Sequence, residues 1–243
     1  MGTMSISTGK KPSAGDRHAP PSGVLERGLF LMSLFSMERP RLQLRDLAQL
    51  SGLDKATTLR ALRTLAKWGY LERTPEGAYS PGPVNLRLAS IFKATSNFIA
   101  RLEAPISAIS GRANQTASFF VRSRDDRVCL VRDHAFQDFR YFIEVGGTVK
   151  LSEGGAAAQL LLAYTEPEDD DARAAIRQAG HYISRGERNR HFASIAVPLF
   201  ESDRSFLGAV TITGMAVDLD DEMLLGFKAM IGEEVAAASF TTA

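Results

Sequence analysis

The chain has 243 residues, 44% hydrophobic and 23% charged, a balance that excludes wholesale disorder and suggests two small domains or one large one. Its 29 lysines and arginines against 28 aspartates and glutamates leave a net charge of +1, which taken whole argues against a nucleic-acid partner. No apolar run approaches the roughly 18 residues of a membrane span, the start is polar rather than signal-like, and the single Cys129 builds neither an intrachain disulfide nor a thiolate metal site. The expectation is a cytoplasmic protein with no membrane partner.

Residues 1–21 are rich in Ser, Thr, Gly, Lys and Pro and end on Ala19-Pro20-Pro21; without apolar periodicity they read as a disordered tail. From Ser22, read as a cap, the pattern turns helical, with Val24, Leu25, Leu29, Phe30, Leu31, Leu34 and Phe35 as an apolar stripe, and Pro40 stops the helical region after Met37. A short helix over 44–50 turns Leu44, Leu47 and Ala48 inward. The Ser51-Gly52-Leu53 turn follows, and Asp54 caps a third helix that runs through Trp68 and ends at Gly69. Tyr70 to Arg73, a Thr74-Pro75-Glu76-Gly77 turn and Ala78 to Ser80 read as a two-stranded hairpin. Three helices and a hairpin over 22–83 make a winged helix-turn-helix.

Pro81-Gly82-Pro83 breaks the chain, and residues 84–102 resume as an amphipathic linker helix with Val84, Leu88, Ile91, Phe92, Thr95, Phe98, Ile99 and Leu102 on its apolar side. Residues 103–243 alternate in type. A helix from Pro105 precedes strands at 116–123 and 127–134 and a loop-rich stretch to Lys150. Helices at 155–163 and 168–178, strands at 191–201 and 206–214, and a last helix from Asp220 complete an α+β, sensor-like domain.

Charge resolved along the chain changes the first impression. The tail nets +2, residues 22–85 carry nine basic and six acidic side chains, and the remainder carries 17 basic and 21 acidic ones. A basic front on an acidic back points to different partners for each part.

At 100° per residue, the third helix gathers Leu59, Leu62, Leu65 and Ala66 on one side and Thr57, Arg60, Thr64 and Lys67 on the other. That arrangement suits a recognition helix, with an apolar back locked to a scaffold and a polar front. Arg60 is suited to bidentate pairing with a guanine edge, and Thr57 to a thymine methyl or a phosphate. Lys55 stands at the helix start, which reaches deepest into the groove. Arg45, Arg63 and Arg73 are placed for phosphates, which orient without reading sequence. Any solvated helix face carries such residues; the helix-turn-helix spacing and the wing favour the DNA reading.

The run Leu47-Ala48-Gln49-Leu50-Ser51-Gly52-Leu53-Asp54-Lys55-Ala56-Thr57-Thr58-Leu59-Arg60-Ala61-Leu62, then Leu65-Ala66-Lys67-Trp68-Gly69-Tyr70-Leu71-Glu72-Arg73, resembles the DNA-binding domain of the isocitrate lyase regulator (IclR) family. Tyr79-Ser80-Pro81-Gly82 is similar to the family's aromatic-x-x-Gly ending of the wing, while Ala56 stands where the family usually has Ser. The resemblance extends over about residues 23–240, more loosely after 85. It implies a repressor or activator that works as a homodimer, or a dimer of such dimers, on double-stranded DNA with a pseudo-palindromic operator. It also implies a C-terminal, GAF-like effector-binding domain, and it adds Thr58 to the expected DNA contacts.

Enzyme signatures are scarce in the second half. There is no Gly-x-Ser-x-Gly elbow, P-loop or dinucleotide fingerprint, and His18, His134, His181 and His191 lack metal-ligand spacing. No catalytic residue, metal or cofactor is expected. Cys129, in an apolar strand, reads as a small buried hydrophobe, and Asp169-Asp170-Asp171 as a helix N-terminus. In Ala209-Val210-Thr211-Ile212-Thr213, Thr211 and Thr213 share a face; these hydroxyls and that of Ser194 either meet a small ligand or face water. The family resemblance favours the ligand. It implies an effector site at Ser194, Thr211, Thr213, Ser184, Ala156 and Ala157, the last two at a helix N-terminus suited to an anion. Ala158-Gln159 departs from the usual Gly-Lys. Phe136, Phe139, Tyr141 and Phe142 are read as an apolar end of the site, suggesting an aromatic or otherwise partly apolar effector, while the hydroxyls suit a carboxylate. The alternatives are an enzyme acting on a small metabolite through the second domain, and a winged-helix protein-interaction module.

Overall fold

The computed structural model describes residues 22–134, 143–166 and 170–243. The expected tail at 1–21, Phe136, Phe139, Tyr141 and Phe142, and Asp169 lie outside the described residues. The chain divides into two compact units, one up to Ser90 and the other Ile91–Ala243.

The first unit holds α1 (Val24–Ser33), α2 (Leu44–Ser51), α3 (Lys55–Lys67) and the hairpin β1 (Leu71–Arg73) and β2 (Tyr79–Pro81). Its core is Leu31, Leu47, Leu62, Leu71 and Tyr79, one residue from each element, with Leu42 from the segment before α2. Leu42 bridges to Tyr79 and so ties the segment before α2 to the wing. The α1 cap differs from expectation. Gly23 takes the position in place of Ser22, and Glu26 reaches back to accept from the amides of both Ser22 and Gly23. Only Leu31 of the expected α1 stripe is buried, while Val24, Leu25 and Leu29 stand exposed.

In place of one helix over 84–102 and another from Pro105, the chain forms α4 (Pro83–Thr95) and α5 (Asn97–Ala113). The break is at Ser96, whose ψ of 83° leaves the helical region. Pro105 sits inside α5. The buried stripe of Ile99, Leu102, Ile106 and Ile109 continues across it, so side-chain burial holds the helix where Pro removes a hydrogen bond.

The second unit is built on a six-stranded antiparallel sheet. Its strands are β3 (Thr116–Ser123), β4 (Asp126–His134), β5 (Thr148–Lys150), β6 (Tyr182–Arg185), β7 (Phe192–Phe200) and β8 (Phe206–Met215), in the order β5-β4-β3-β8-β7-β6. The sequence reading did not assign β5 or β6. Ala117, Phe119, Ile195, Val197, Val210 and Ile212 point to one face and bury against α5 and α8 (Asp221–Ala236). The opposite face carries α6 (Ala156–Thr165), whose Ala156, Ala157, Ala158, Leu160, Leu161 and Ala163 are all buried, and α7 (Asp171–Ala179) packs on α6. Asp170 caps α7 by accepting from the Arg173 amide at 2.7 Å. Cys129 is fully buried, and burial pushes its thiol up to about 12.

Gly82 shows how tightly the wing closes on the first unit. A Cβ there would lie 2.4 Å from the Gly69 carbonyl oxygen, which is backbone and fixed. Gly82→Ala is therefore expected to cost about 1–3 kcal/mol of stability; equilibrium unfolding checks it, and an unchanged midpoint refutes the packing argument.

Candidate DNA interface and ligand cavity

The turn before α3 is set by two local choices. Gly52, at φ 69°, ends α2 in a left-handed conformation that most side chains resist. Asp54 then accepts from the Thr57 amide at 2.9 Å, and that bond, followed by the Thr57 hydroxyl, holds its carboxyl below the usual carboxylate range. Leu62, fully buried, locks the helix back to the core. On the free side Lys55, Arg60, Arg63, Thr64 and Lys67 are exposed and Thr57 is half-buried. The Arg60 guanidinium donates to the Thr57 hydroxyl at 3.2 Å, so the two expected base-reading side chains are neighbours.

Thr58 corrects the expectation. It is fully buried, and its hydroxyl donates to the Asp54 carbonyl oxygen at 2.9 Å. Residue 58 stands one helical turn before Leu62 and shares its inward face. Arg45 is exposed on α2 and pairs with Asp46 at 3.2 Å. Arg73, exposed on β1, lies beside Gly77 of the wing turn. Arg41 was missed by the sequence reading. It is exposed next to the Leu42–Tyr79 bridge, and its charge helps to lower the Glu76 carboxyl on the wing, behind the larger effect of the Thr74 hydrogen bond. Its place beside the wing comes from a long-range pairing that no local pattern announces.

In the second unit the register brings the expected hydroxyls into line. Ser184 of β6 pairs with Ser194 of β7, and Ser194 with Thr213 of β8. Paired residues share a face, so the three side chains form a row across adjacent strands, with Thr211 two residues from Thr213. The Thr211 hydroxyl donates to the Ser118 carbonyl oxygen at 3.4 Å. No hydrogen bond engages the hydroxyls of Ser184, Ser194 or Thr213 among the described residues. The row continues to Thr116, paired with Thr213, whose buried hydroxyl also lacks a partner among the described residues.

A cavity of about 90 Å³ opens over this row. All six expected effector residues line it: Ala156, Ala157, Ser184, Ser194, Thr211 and Thr213. Gly154 and Gly155, at φ 74° and 90°, turn the chain so that the N-terminus of α6 faces the same space.

Residues 24–75 match the IclR helix-turn-helix domain. The chain is 24% identical to the transcriptional repressor IclR of Escherichia coli (strain K12), over 92% of this chain and 91% of that protein. Residues 24–75 thus form an IclR helix-turn-helix domain, and the likeness to IclR extends along most of the chain. Solved structures share its fold. An IclR family transcriptional regulator from Brucella abortus has a TM-score of 0.73 at 24% identity, covering 89% of this chain and 91% of the other. An IclR homologue from Microbacterium hydrocarbonoxydans, complexed with 4-hydroxybenzoate, has a TM-score of 0.67 at 18% identity, covering 88% and 100%. The chain is thus a DNA-binding transcriptional regulator of the IclR type, and none of its described helices is long and apolar enough to cross a membrane.

The cavity also holds residues the sequence reading passed over: Phe120, Arg127, Ile143, Glu187, Arg188 and Phe192. Arg127 carried a signal. A charged residue opening the apolar run Val128–Val131 is unusual when that strand is central, and it is only 3% exposed. Glu187 and Arg188 come from the β6–β7 connection, whose position depends on a strand that was not assigned, and Phe192 opens β7.

The adjacent threonines Thr57 and Thr58 of α3 allow reading to be tested apart from packing. Thr57→Val is expected to weaken binding to operator DNA, while Thr58→Val leaves operator affinity unchanged and shifts stability by about 1 kcal/mol at most. Parallel DNA titrations and thermal melts check this, and equal loss of DNA affinity in both variants refutes it.

Proposed function

We propose that this regulator works in the cytoplasm as a homodimer that reads a pseudo-palindromic operator with α3, under the control of a small effector held in the second unit. Lys55, Thr57, Arg60, Thr64 and Lys67 face the major groove; Arg45, Arg63 and Arg73, with Arg41 beside them, meet phosphates. The observation that carries this reading is the polar face of α3: Lys55, Arg60, Thr64 and Lys67 are exposed and their hydrogen bonds stay within the helix, while Leu62 on the opposite face is buried in the core.

Two surfaces support dimerisation. Val24, Leu25 and Leu29 on α1, and Leu86, Leu88, Ile91 and Phe92 on α4, are exposed large apolar side chains, and such residues mark association surfaces when they recur along one element. A dimer doubles a basic unit of modest charge and sets two recognition helices about 34 Å apart. Arg60→Ala is expected to cost about 1–3 kcal/mol on an operator selected from a random duplex pool, with relaxed specificity. A footprint on the same DNA shows two half-sites one helical turn apart. Unchanged affinity rejects the role of Arg60, and a single half-site rejects the dimer.

The second unit is read as a binding domain, whose cavity brings hydroxyls and small residues together with Phe120, Phe192 and the charged Arg127, Glu187 and Arg188. Its small volume suits an effector of few heavy atoms, and free hydroxyls beside a helix N-terminus suit a carboxylate or hydroxyl-bearing compound. The complex of the Microbacterium homologue with 4-hydroxybenzoate agrees with that chemistry. Control requires that the effector bind two states of the protein unequally. With 4-hydroxybenzoate and smaller acids as probes, Thr213→Val is expected to reduce the ligand-induced change in operator affinity and to leave ligand-free binding intact. An unreduced change in this variant removes Thr213 from the site.

A further inference from the structure

The cavity contains a buried cation that no carboxylate touches among the described residues, although the charge of Glu153 acts on it from further away. Arg127 is 3% exposed, and its Nη1 donates to the Gly154 carbonyl oxygen at 2.8 Å. No carboxylate pairs with it among the described residues. A buried charge ordinarily finds an opposite one, because desolvation is costly. Here burial, followed by the charge of Arg188, lowers the guanidinium to about 10.

At the same corner the N-terminus of α6 is already occupied by a carboxylate of the chain itself. Glu187 accepts from the Gly155 amide at 2.8 Å through Oε2 and from the Tyr182 hydroxyl at 2.9 Å through Oε1. The Glu187 residue is exposed overall, so its carboxylate can leave for water at little cost. Arg127 cannot. Both flank the Gly154–Gly155 turn: a Cβ on Gly155 would lie 3.7 Å from Arg127 Nη2, and one on Gly154 would lie 3.2 Å from Glu187 Oε2. Ser184, 4% exposed and with its hydroxyl unbonded among the described residues, lines the same space.

We propose that the cavity takes a small carboxylate whose charge is met by Arg127, and which displaces the Glu187 carboxylate from the Gly155 amide. Glu187 is then a resident stand-in for the effector's acid group, and Arg127 is the residue that selects an anion over its neutral analogue. The ligand's remaining polar atoms meet Ser184, Ser194 and Thr213. This rests on the reading of the second unit as an effector domain and names the charge that the domain reads.

The test is direct binding to the full chain, independent of DNA, with acetate, benzoate and 4-hydroxybenzoate each set beside its amide. Thermal shift and calorimetry are expected to show binding by at least one acid and by none of the amides. Arg127→Met lowers the acid's affinity at least tenfold, Arg127→Lys restores part of it, and Glu187→Ala raises it several-fold. Binding of amides as tight as of acids, no acid bound by either wild type or Glu187→Ala, or unchanged affinity in Arg127→Met overturns the proposal. Weaker acid binding in Glu187→Ala overturns the displacement. Retained DNA binding by ligand-free Arg127→Met confirms that the variant folds; should it fail to fold, the Arg127→Lys and Glu187→Ala arms decide. Failure of the wild type to select any DNA would instead count against the regulator reading and leave the acid-binding result to stand alone.

Discussion

Alternation along the strands of the six-stranded sheet sends Ile195, Val197, Val210 and Ile212 to one face and Ser194, Ala196, Thr211 and Thr213 to the other. The first face buries against α5 and α8 and supplies cohesion for the second unit. The second face can then carry hydroxyls near its open end, because its stability does not depend on them. A one-residue slip between β7 and β8 would put the isoleucines into the cavity and the hydroxyls into the core. Register is therefore the constraint on which both packing and the candidate site depend.

The same division appears on a smaller scale in α3. Leu62 and Thr58 face the core and Arg60 and Thr57 face away. A helical period legible in the sequence separates these two faces, and local signals mark both ends: Gly52 and Asp54 before the helix, Gly69 after it. The inclusion of Thr58 among DNA contacts followed the motif and not the period; four residues from Leu62, it was bound to turn inward. At α1 the periodicity misled differently. Its apolar stripe exists, and Leu31, Leu34 and Phe35 join the core, yet Val24, Leu25 and Leu29 stand exposed, since apolar spacing says which residues share a face and not what covers them.

Less of the second unit was legible. The hydroxyl pattern of β8 could be read from alternation, but its alignment with Ser184 depends on β6, a four-residue strand placed by pairing with residues eight to fourteen positions further on. The break at Ser96 had a local signal in Thr95-Ser96-Asn97, residue types that favour helix caps, masked by apolar periodicity running through both α4 and α5. Pro105 offered the opposite false cue, since Pro suits a first helical turn yet here lies in an interior held by Leu102 and Ile106.

Net charge was the least informative quantity at the level of the whole chain, and the reason is physical. Fields act over about 10 Å at ordinary salt, so what matters is which charges are neighbours and how wet they are. On α3 five polar or basic side chains share a solvated face, where phosphates can replace water at small desolvation cost. Arg127 is the contrary case, a single cation already stripped of water. Its electrostatic attraction for an anion is strong because the surroundings do not screen it, and that attraction is held in check by Glu187 occupying the nearby helix N-terminus. An effector's apparent affinity is then its intrinsic affinity reduced by the fraction of molecules in which Glu187 has let go. The exposed acid and the buried base thereby set a concentration threshold, tuned by the strength of the Glu187 contacts to Gly155 and Tyr182, without changing the residues that recognise the ligand.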